Sequence, residues 1–432
     1  MKTIIPVVAL AFSMLLPATT ALAQELEEDE TWGYGFRTGS GYFSFRNSLF
    51  VEHEPDPPGD LSDDWFEVFA EAWLAYQVKL GNGLLYAHGS VAYVRTADDA
   101  AAISGGTADS LDVDDLYVSY LLGRPEQGEF EVSVGRIPYV LGKGMIIADG
   151  YADGGSRGGA WTNIRKAWAP GGRLRYARGG HLLEYVYLER DDRPESITDT
   201  VVNGINYEWL SESGKWNLGS SWLWLDANDS TPDLAGADVY NLRAYIKPFS
   251  APMSINAEWV REDNGEALDA DAWYLMADWS FEEAIWSPVV EARYMHFEGD
   301  DPNTSANEEF NPLFTGFYDW GSFFQGEVAA WFVGNSNLNS TMLRLHLSPT
   351  TSVSTGLVYY DFKLDQPGSY QGGVQSNDLA TEINWYMDWS INDYFSVSLV
   401  GARNWPGAAV EEAFDRSDAF LYGMIYVIFN IE

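Results

Sequence analysis

The feature that most constrains this chain is a two-residue alternation of apolar and polar side chains that recurs along most of its length. In the segment 240–247, Leu242 and Ile246 share one face, whereas Arg243 and Lys247 lie on the other. The same alternation recurs in three further segments, which are 273–281, 342–347 and 382–389. A period of two places successive side chains on opposite faces of a β-strand, so the pattern predicts strands of about ten residues each.

Turn signals separate these predicted strands, among them Asn82-Gly83, Gly179-Gly180 and Pro349. Downstream of the N-terminus, no segment reaches the roughly 18 apolar residues that a membrane-spanning helix needs. The longest candidate, 419–429, is too short for such a helix. The pattern therefore predicts an all-β chain.

The N-terminal residues have the pattern of a secretory signal peptide. Lys2 precedes an apolar core from Ile4 to Leu16, and Ala21-Leu22-Ala23 is a small-x-small cleavage site. An uncleaved anchor is the alternative, but the core is short and the cleavage site is complete. We therefore predict a signal peptide over 1–23, a flexible acidic leader over 24–38 and a single β-domain over 39–432.

An exported all-β chain without membrane helices is either a soluble secreted protein or an outer-membrane barrel. Trp, Tyr and Phe often cap the apolar faces of the strands, as in the aromatic girdles of membrane barrels. We predict a single transmembrane antiparallel β-barrel of about 18 strands (16–18), with short periplasmic turns and long acidic external loops. The predicted long loops are 54–64, 96–110, 147–160, 191–200, 298–309 and 366–377.

Composition excludes several other classes of protein. The chain has 25 Lys+Arg against 64 Asp+Glu, a formal net charge of −39, which argues against nucleic acid as a partner. It has no cysteine, which excludes disulfides, thiolate metal sites and a thiol nucleophile. None of its five histidines lies in a recognisable catalytic motif, so no enzyme is expected, although a Ser and a His from different strands could still meet.

The acidic loops have two interpretations. They are either solvated segments that hold divalent cations between lipopolysaccharide molecules, or specific Ca²⁺ sites. No stretch has the spacing of an EF-hand loop, so we expect no dedicated cofactor.

Basic residues are scarce, so their positions are informative. Arg173 and Arg175 alternate with Leu174 and Tyr176, which places both guanidinium groups on the polar face. Guanidinium binds carboxylate and phosphate through its planar fork, and charges that face a lumen from several strands form a charged constriction. The alternative is that each arginine pairs with a lumenal carboxylate and only stiffens the wall. The candidate pore-lining residues are Arg46, Arg136, Arg165, Arg173, Arg175, Arg243, Arg293, Arg344, Glu327 and Glu382.

Several segments resemble the alginate export family of outer-membrane porins. They are Phe310-Asn311-Pro312-Leu313-Phe314-Thr315-Gly316, Phe324-Gln325-Gly326-Glu327, the stretch from Tyr359 to Pro367, Ala380-Thr381-Glu382-Ile383-Asn384 and Trp405-Pro406-Gly407-Ala408. The similarity is clearest from about 310 to 413. The resemblance implies an 18-stranded barrel with a narrow, positively lined pore that passes an anionic polysaccharide outwards. It also supports a lumenal position for five of the candidates, Arg136, Arg173, Arg175, Arg344 and Glu382.

The prediction is therefore an outer-membrane channel that passes charged solutes, including anionic oligo- or polysaccharides such as alginate, by passive diffusion through an Arg-containing lumen. The alternative is a structural or adhesive barrel in which the segments 147–160 and 298–323 plug the lumen. The expected partners are outer-membrane lipid, lipopolysaccharide, the barrel-assembly machinery and an anionic or polar saccharide.

Overall fold

The structure, a computed structural model, is a closed antiparallel β-barrel of 18 strands. It describes residues 30–47, 63–98, 108–124, 127–148, 150, 158–159, 161–162, 164–191, 200–227, 233–248, 251–316 and 325–431. The predicted signal peptide, most of the loops predicted over 54–64, 96–110 and 147–160, and the loop interior 192–199 lie outside these residues. The predicted fold and strand number are confirmed.

The strands follow one another around the barrel in chain order. The first nine are β1 Glu30–Arg46, β2 Asp63–Leu80, β3 Gly83–Asp98, β4 Asp109–Arg124, β5 Gly128–Ile137, β6 Trp168–Arg178, β7 His181–Glu189, β8 Val201–Leu210 and β9 Trp216–Asp226. The other nine are β10 Asp238–Ile246, β11 Met253–Asp263, β12 Asp269–Ser280, β13 Val289–Phe297, β14 Leu338–Thr350, β15 Val353–Leu364, β16 Asp378–Ser390, β17 Phe395–Pro406 and β18 Phe420–Ile431.

Each strand pairs with its sequence neighbours, and β1 closes the barrel on β18 over the register Phe36↔Ile431 to Arg46↔Leu421. One end of the barrel carries short turns such as 81–82, 179–180 and 351–352. The other end carries the long connections, which include 138–167 and 298–337. In the described parts of these connections lie one short helix, α1 Ala408–Phe414, and two 3₁₀ segments, Ala329–Trp331 and Pro367–Gly372.

Strand bounds differ from the sequence prediction in two respects. β1 begins at Glu30, inside the segment 24–38 predicted as a flexible leader, because the alternation of Trp32, Tyr34 and Phe36 with small or polar residues already has strand period. The strands β1–β4 have 16 to 18 residues, whereas β5–β18 have 9 to 13 and match the predicted length.

The outer face of the barrel is apolar with aromatic ends. On β12, Trp273 and Trp279 flank Leu275, and all three are exposed, by 37%, 40% and 51% respectively. This is the order of side chains expected where aromatic rings lie at lipid interfaces and aliphatic chains lie between them. Among the described residues, no helix has the length and apolarity to cross a membrane.

The packed core lies inside the barrel. Phe43, Phe45 and Trp65 point inwards from β1 and β2 and are fully buried. They pack with apolar residues of the two long connections, including Met145 and Val328, which are fully buried as well. The long connections therefore fold into the lumen, and this positions the candidate site.

Candidate functional site in the lumen

Two long connections enter the barrel and contact each other. Here we call the described residues of 138–167 the first inserted segment and those of 298–337 the second. Ala148 N donates to Phe314 O at 2.8 Å, and Phe314 N donates to Ile146 O at 2.9 Å. The Phe314 ring also lies edge-on to Trp168, with 5.0 Å between ring centroids. The two segments therefore narrow the lumen together.

Carboxylates on the barrel wall hold the backbone of these segments. Glu382 on β16 accepts hydrogen bonds from Val328 N at 3.0 Å and from Ala329 N at 2.7 Å. Its Oε2 also accepts from Asn404 Nδ2 at 2.9 Å. Buried N–H groups need acceptors, and a carboxylate is a strong one, so Glu382 anchors the second inserted segment.

The first inserted segment is anchored in the same way, by carboxylates on β2 and β4. Glu67 on β2 accepts from Trp161 N at 3.0 Å and from Thr162 N at 2.9 Å. Asp114 Oδ1 on β4 accepts from the backbone N–H groups of Lys166 and Ala167 at 3.0 and 3.2 Å. Glu67, Asp114 and Glu382 are termed the loop anchors.

The lumen retains a cavity of about 800 Å³ between the inward faces of β3–β12 and the first inserted segment. Its lining includes four basic residues, Lys143, Arg173, Arg175 and Arg243. It also includes four acidic residues, Asp115, Glu184, Glu208 and Glu258. The cavity is thus balanced in formal charge, whereas the whole chain has 25 Lys+Arg against 64 Asp+Glu.

Arg173 and Arg175 form one part of the cavity wall, with carboxylates of β5 beside them. Arg173 Nη2 lies 2.5 Å from Glu131 Oε1, and Arg175 Nη1 lies 2.8 Å from Glu129 Oε1. The two carboxylates are almost fully buried, whereas the arginine side chains keep 16% and 14% of their surface exposed. The cationic groups therefore lie nearer the open space than their partners do.

Arg243 on β10 is held mainly by neutral groups. It donates to Asn206 Oδ1 at 2.6 Å and to Ser221 Oγ at 2.9 Å, and it contacts Asn241 Oδ1. It also pairs with the Glu208 carboxylate, at 3.2 Å. These contacts fix the guanidinium against the wall, as do the contacts of Arg173 and Arg175. The three residues are termed the arginine wall.

An aromatic cluster borders the same cavity on β3 and β4. Tyr86, His88 and Tyr117 line it, with ring centroids 5.5 Å apart for His88 and Tyr117 and 5.9 Å apart for Tyr86 and Tyr117. Trp73 lies behind His88 at 5.8 Å. Asp115, which also lines the cavity, has its Oδ2 3.7 Å from His88 Nδ1.

Two more of the predicted arginines face the lumen from another part of the wall. Arg293 lies 6.0 Å from the ring centroid of Tyr360, and Arg344 lies 5.3 Å from that of Tyr386. Arg344 Nη2 also donates to Tyr386 Oη at 2.8 Å. Both side chains project inwards, but neither lines the cavity, and Arg293 is covered by protein with only 2% of its surface exposed, so the predicted pore-lining position is wrong for Arg293.

The remaining candidates are placed elsewhere. Arg46 was predicted to line the pore, but it lies on the outward face of β1 with Tyr42 and pairs with Asp64 at 2.8 Å. Arg165 is fully buried and lies 3.3 Å from Asp112. Arg136 bonds Asp114 O and the Asp191 carboxylate.

Glu327 and Glu382, which were predicted as pore-lining, are covered by protein instead. They are 5% and 0% exposed. Burial raises the pKa of Glu327 to about 8, and the nearby Glu382 carboxylate adds to the shift, whereas hydrogen bonds from Trp161 and Tyr422 oppose it. The prediction is wrong for both residues, because the second inserted segment covers Glu382 on the wall and Glu327 lies in that segment and is packed against the wall.

Sequence reasoning missed the loop anchors Glu67 and Asp114 and the aromatic cluster. One signal was available: consecutive Asp114 and Asp115 break the two-residue alternation. In the structure the β3–β4 register shifts between Gly89 and Val91, which is a β-bulge that brings both aspartates to the lumenal side. Among the described residues, no group of three or more His, Cys, Asp or Glu side chains is arranged to hold a metal ion.

Comparison with known families agrees with this architecture. The family model described as alginate export matches residues 253–423. The predicted resemblance is thereby confirmed, and the match extends it upstream from about 310 to 253. A search of curated proteins gives no significant match.

Solved structures with the same fold include three porins of Pseudomonas aeruginosa. OccK5 (OpdH) is 12% identical with a TM-score of 0.58, covering 93% of this chain and 98% of that one. OccK2 (OpdF), solved in complex with glucuronate, is 12% identical with a TM-score of 0.55 over 93% and 98% of the two chains. The outer-membrane protein OpdK is 11% identical with a TM-score of 0.56 over 92% and 98%. At these identities the likeness establishes the fold, and together with the family match it supports an outer-membrane channel.

Proposed function

We propose that the protein is an outer-membrane channel for small anionic saccharides, with uronates as the central class, which diffuse passively past the arginine wall. The observation that carries the proposal is the cavity itself. In a chain with a net charge of −39, its lining has as many basic as acidic residues, and three of the basic ones lie on strands. Planar guanidinium groups recognise carboxylates by paired hydrogen bonds.

The comparisons support the same substrate class. OccK2, which shares the fold, was solved with glucuronate, and the matched family is described by the export of alginate, a polyuronate. The two inserted segments favour small solutes over a wide polymer path because they occupy part of the lumen. We therefore place uronate mono- and oligosaccharides before the long polymer.

The outer surface supports the proposed membrane partners. Its band of Leu and Ile side chains between aromatic ends fits lipid contact. Lipopolysaccharide would contact the end that carries the long connections, and the assembly machinery would act on the terminal strand β18. A channel is proposed rather than an enzyme, on the support of the family match and the porin fold.

A second candidate is a structural or adhesive barrel with a closed lumen. The observation in its favour is the contact between the two inserted segments, whose residues Met145, Ile146 and Ile147 are fully buried. Under this alternative the cavity would be a closed pocket in the barrel wall.

The reversal potential of the purified protein in planar bilayers under a KCl gradient, with and without uronate oligomers, distinguishes the two. The proposed function gives single-channel steps and a reversal potential that moves towards K⁺ selectivity in the triple variant Arg173→Gln, Arg175→Gln, Arg243→Gln. Absence of channel steps in the wild type would favour the closed barrel. Channel steps with the same reversal potential in both proteins would refute the role of the arginine wall.

A further inference from the structure

We propose that the cavity is a saturable binding site for one hydroxylated, carboxylated sugar ring, and that the aromatic cluster Tyr86, His88 and Tyr117 is the platform for the face of that ring. This inference rests on the proposed function, because it names the ligand class of the same lumen. It adds a site at which the solute pauses, and a group of residues that selects sugar acids from other anions.

The aromatic cluster has the position that such a platform requires. Its three rings come from adjacent strands, lie within 6.3 Å of one another by centroid and line the cavity. Trp73 supports His88 from behind, so the cluster is backed by a further ring. The face of an aromatic ring is electron-rich, and it attracts the slightly positive C–H groups on the flat face of a pyranose.

The arginine wall is close to this platform. Ser133 on β5 is paired with Arg173 on one side and with Ser119 on the other, and Ser119 is the next inward residue after Tyr117 on β4. The strands between them carry small polar side chains, since Ser119 and Ser133 line the cavity and share a hydrogen bond of 2.8 Å. A ring on the platform can therefore direct a carboxylate towards the guanidinium groups.

Several residues that line the same cavity carry buried polar atoms without a hydrogen-bond partner. Asn217 Oδ1, Asn256 Oδ1, Arg173 Nε and His88 Nδ1 are buried atoms with no hydrogen-bond partner, and all four residues line the cavity. Asn256 is only 2% exposed. Buried polar groups are usually satisfied, so a cluster of unsatisfied ones around one cavity points to a polar occupant.

The types of these atoms define the ligand class. The Asn217 and Asn256 oxygens accept hydrogen bonds, which hydroxyl groups donate, and Arg173 Nε donates to a carboxylate. An inorganic anion would use the arginines alone, and an aromatic acid such as benzoate would leave the amide oxygens without a donor. A sugar acid uses all three features. A cavity of about 800 Å³ is within the range of about 300–1,000 Å³ for small-ligand sites.

The test is isothermal titration of detergent-solubilised, full-length protein with glucuronate, glucose and benzoate, which measures binding independently of ion flow. We expect saturable glucuronate binding that is at least about tenfold tighter than binding of either glucose or benzoate. Tyr117→Ala should weaken glucuronate binding by about two- to tenfold, the range for loss of an aromatic contact, and Tyr117→Phe should restore it. The matched control is Tyr185→Ala, because Tyr185 lies on the outer face and is 37% exposed.

The variant Asn256→Ala gives a second, independent test in the same titration experiment. It should weaken glucuronate binding and leave benzoate binding unchanged, because benzoate has no hydroxyl group to donate. Equal affinity for glucuronate and benzoate, or wild-type glucuronate affinity in Tyr117→Ala, would overturn the inference. Either result can occur while the reversal potential still depends on the arginine wall, so failure of the platform is distinguishable from failure of the proposed channel.

Discussion

Two regions of the lumen carry buried charge, and they use it in opposite ways. In the arginine wall, Arg173 and Arg243 border an open cavity, and their acceptors Glu131 and Asn206 are less exposed than they are. At the loop anchors, carboxylates such as Glu382 bind the backbone of an inserted segment and are covered by it. A charge at an inward position in mid-strand therefore either faces the solute or holds a loop, and what packs over it decides which.

The physical reason for the anchors is the hydrogen-bonding demand of a loop inside a barrel. Every strand of the wall is already paired with two neighbours, so away from its ends it has few backbone groups to offer an inserted segment. The N–H groups of that segment still need acceptors. Side-chain carboxylates that project inwards supply them, and this accounts for acidic residues that carry no solute.

The largest expected effect comes from removal of an anchor. Glu382→Ala deletes the acceptor of three hydrogen bonds, each worth about 1.5–3 kcal/mol when one partner is charged. We expect the second inserted segment to undock, with higher mean conductance and frequent current fluctuations in single-channel records. The matched control is Asp388→Ala on the same face of β16, since Asp388 accepts a hydrogen bond from Ser398 on the wall and not from an inserted segment. Equal single-channel records for Glu382→Ala and Asp388→Ala would contradict the role of Glu382 as a loop anchor.

The next effect is a pH dependence that arises at Glu327. Because burial and Glu382 raise the pKa of Glu327 to about 8, this group stays protonated in the docked segment at neutral pH. An undocked, solvated glutamate ionises near pH 4.3. Between about pH 4.3 and 8, the Glu327 carboxylate therefore takes up a proton when the second inserted segment docks. Docking therefore weakens as the pH rises through this window, by up to about tenfold per pH unit, and levels off above pH 8.

Current fluctuations recorded from pH 5 to pH 9 measure this dependence. We expect them to increase with pH in the wild type and to vary much less in Glu327→Gln, which mimics the protonated form. Fluctuations that increase equally in both proteins would exclude Glu327 as the group responsible.

A smaller effect is expected from a single change in the arginine wall. Arg243→Gln removes one positive charge from the cavity lining but keeps hydrogen-bonding capacity towards Asn206 and Ser221. One unit charge is worth about 1 kcal/mol at 4 Å in water, so the chloride-to-potassium permeability ratio should fall by about three- to fivefold. The reversal potential in a KCl gradient gives this ratio, and an unchanged value would remove Arg243 from the permeation path.

The smallest effect is expected from the same substitution on the outer face. Arg46→Gln breaks an ion pair whose side chains are 42% and 40% exposed, and such pairs contribute about 0–1 kcal/mol. We expect neither the reversal potential nor the conductance to change. A shift as large as that of Arg243→Gln would show that the assignment of the two faces of β1 is wrong.

The sequence was enough to predict the strands, because the alternation that defines them involves only neighbouring residues. The segments 240–247, 273–281, 342–347 and 382–389 lie within β10, β12, β14 and β16, apart from one residue beyond the end of β10 and one beyond the end of β12, although the strands extend up to four residues further. It was also enough to predict which side chains of β6 and β10 face the lumen, because polar and apolar residues alternate regularly there and the arginines are among the polar ones.

The same rule failed for Arg46 for a physical reason. On β1 the inward residues Phe43 and Phe45 are apolar, because Trp161 of the first inserted segment and Trp65 pack on them. Where a loop fills the lumen, the inward face of a strand is therefore apolar and not polar. A prediction that places polar residues inwards then assigns Arg46 to the wrong face of β1. The contacts that fill the lumen join residues far apart in the chain, which is also why the roles of Glu67, Asp114 and Glu382 were not predicted.

The most direct test compares the two regions in one experiment, the bilayer recording of the triple arginine-wall variant beside Glu382→Ala under a KCl gradient. We expect the triple variant to move the reversal potential towards K⁺ with little change in current fluctuation. We expect Glu382→Ala to increase conductance and fluctuation with a smaller change in reversal potential. Loss of selectivity in Glu382→Ala together with wild-type selectivity in the triple variant would contradict the roles given to the arginine wall and the loop anchors.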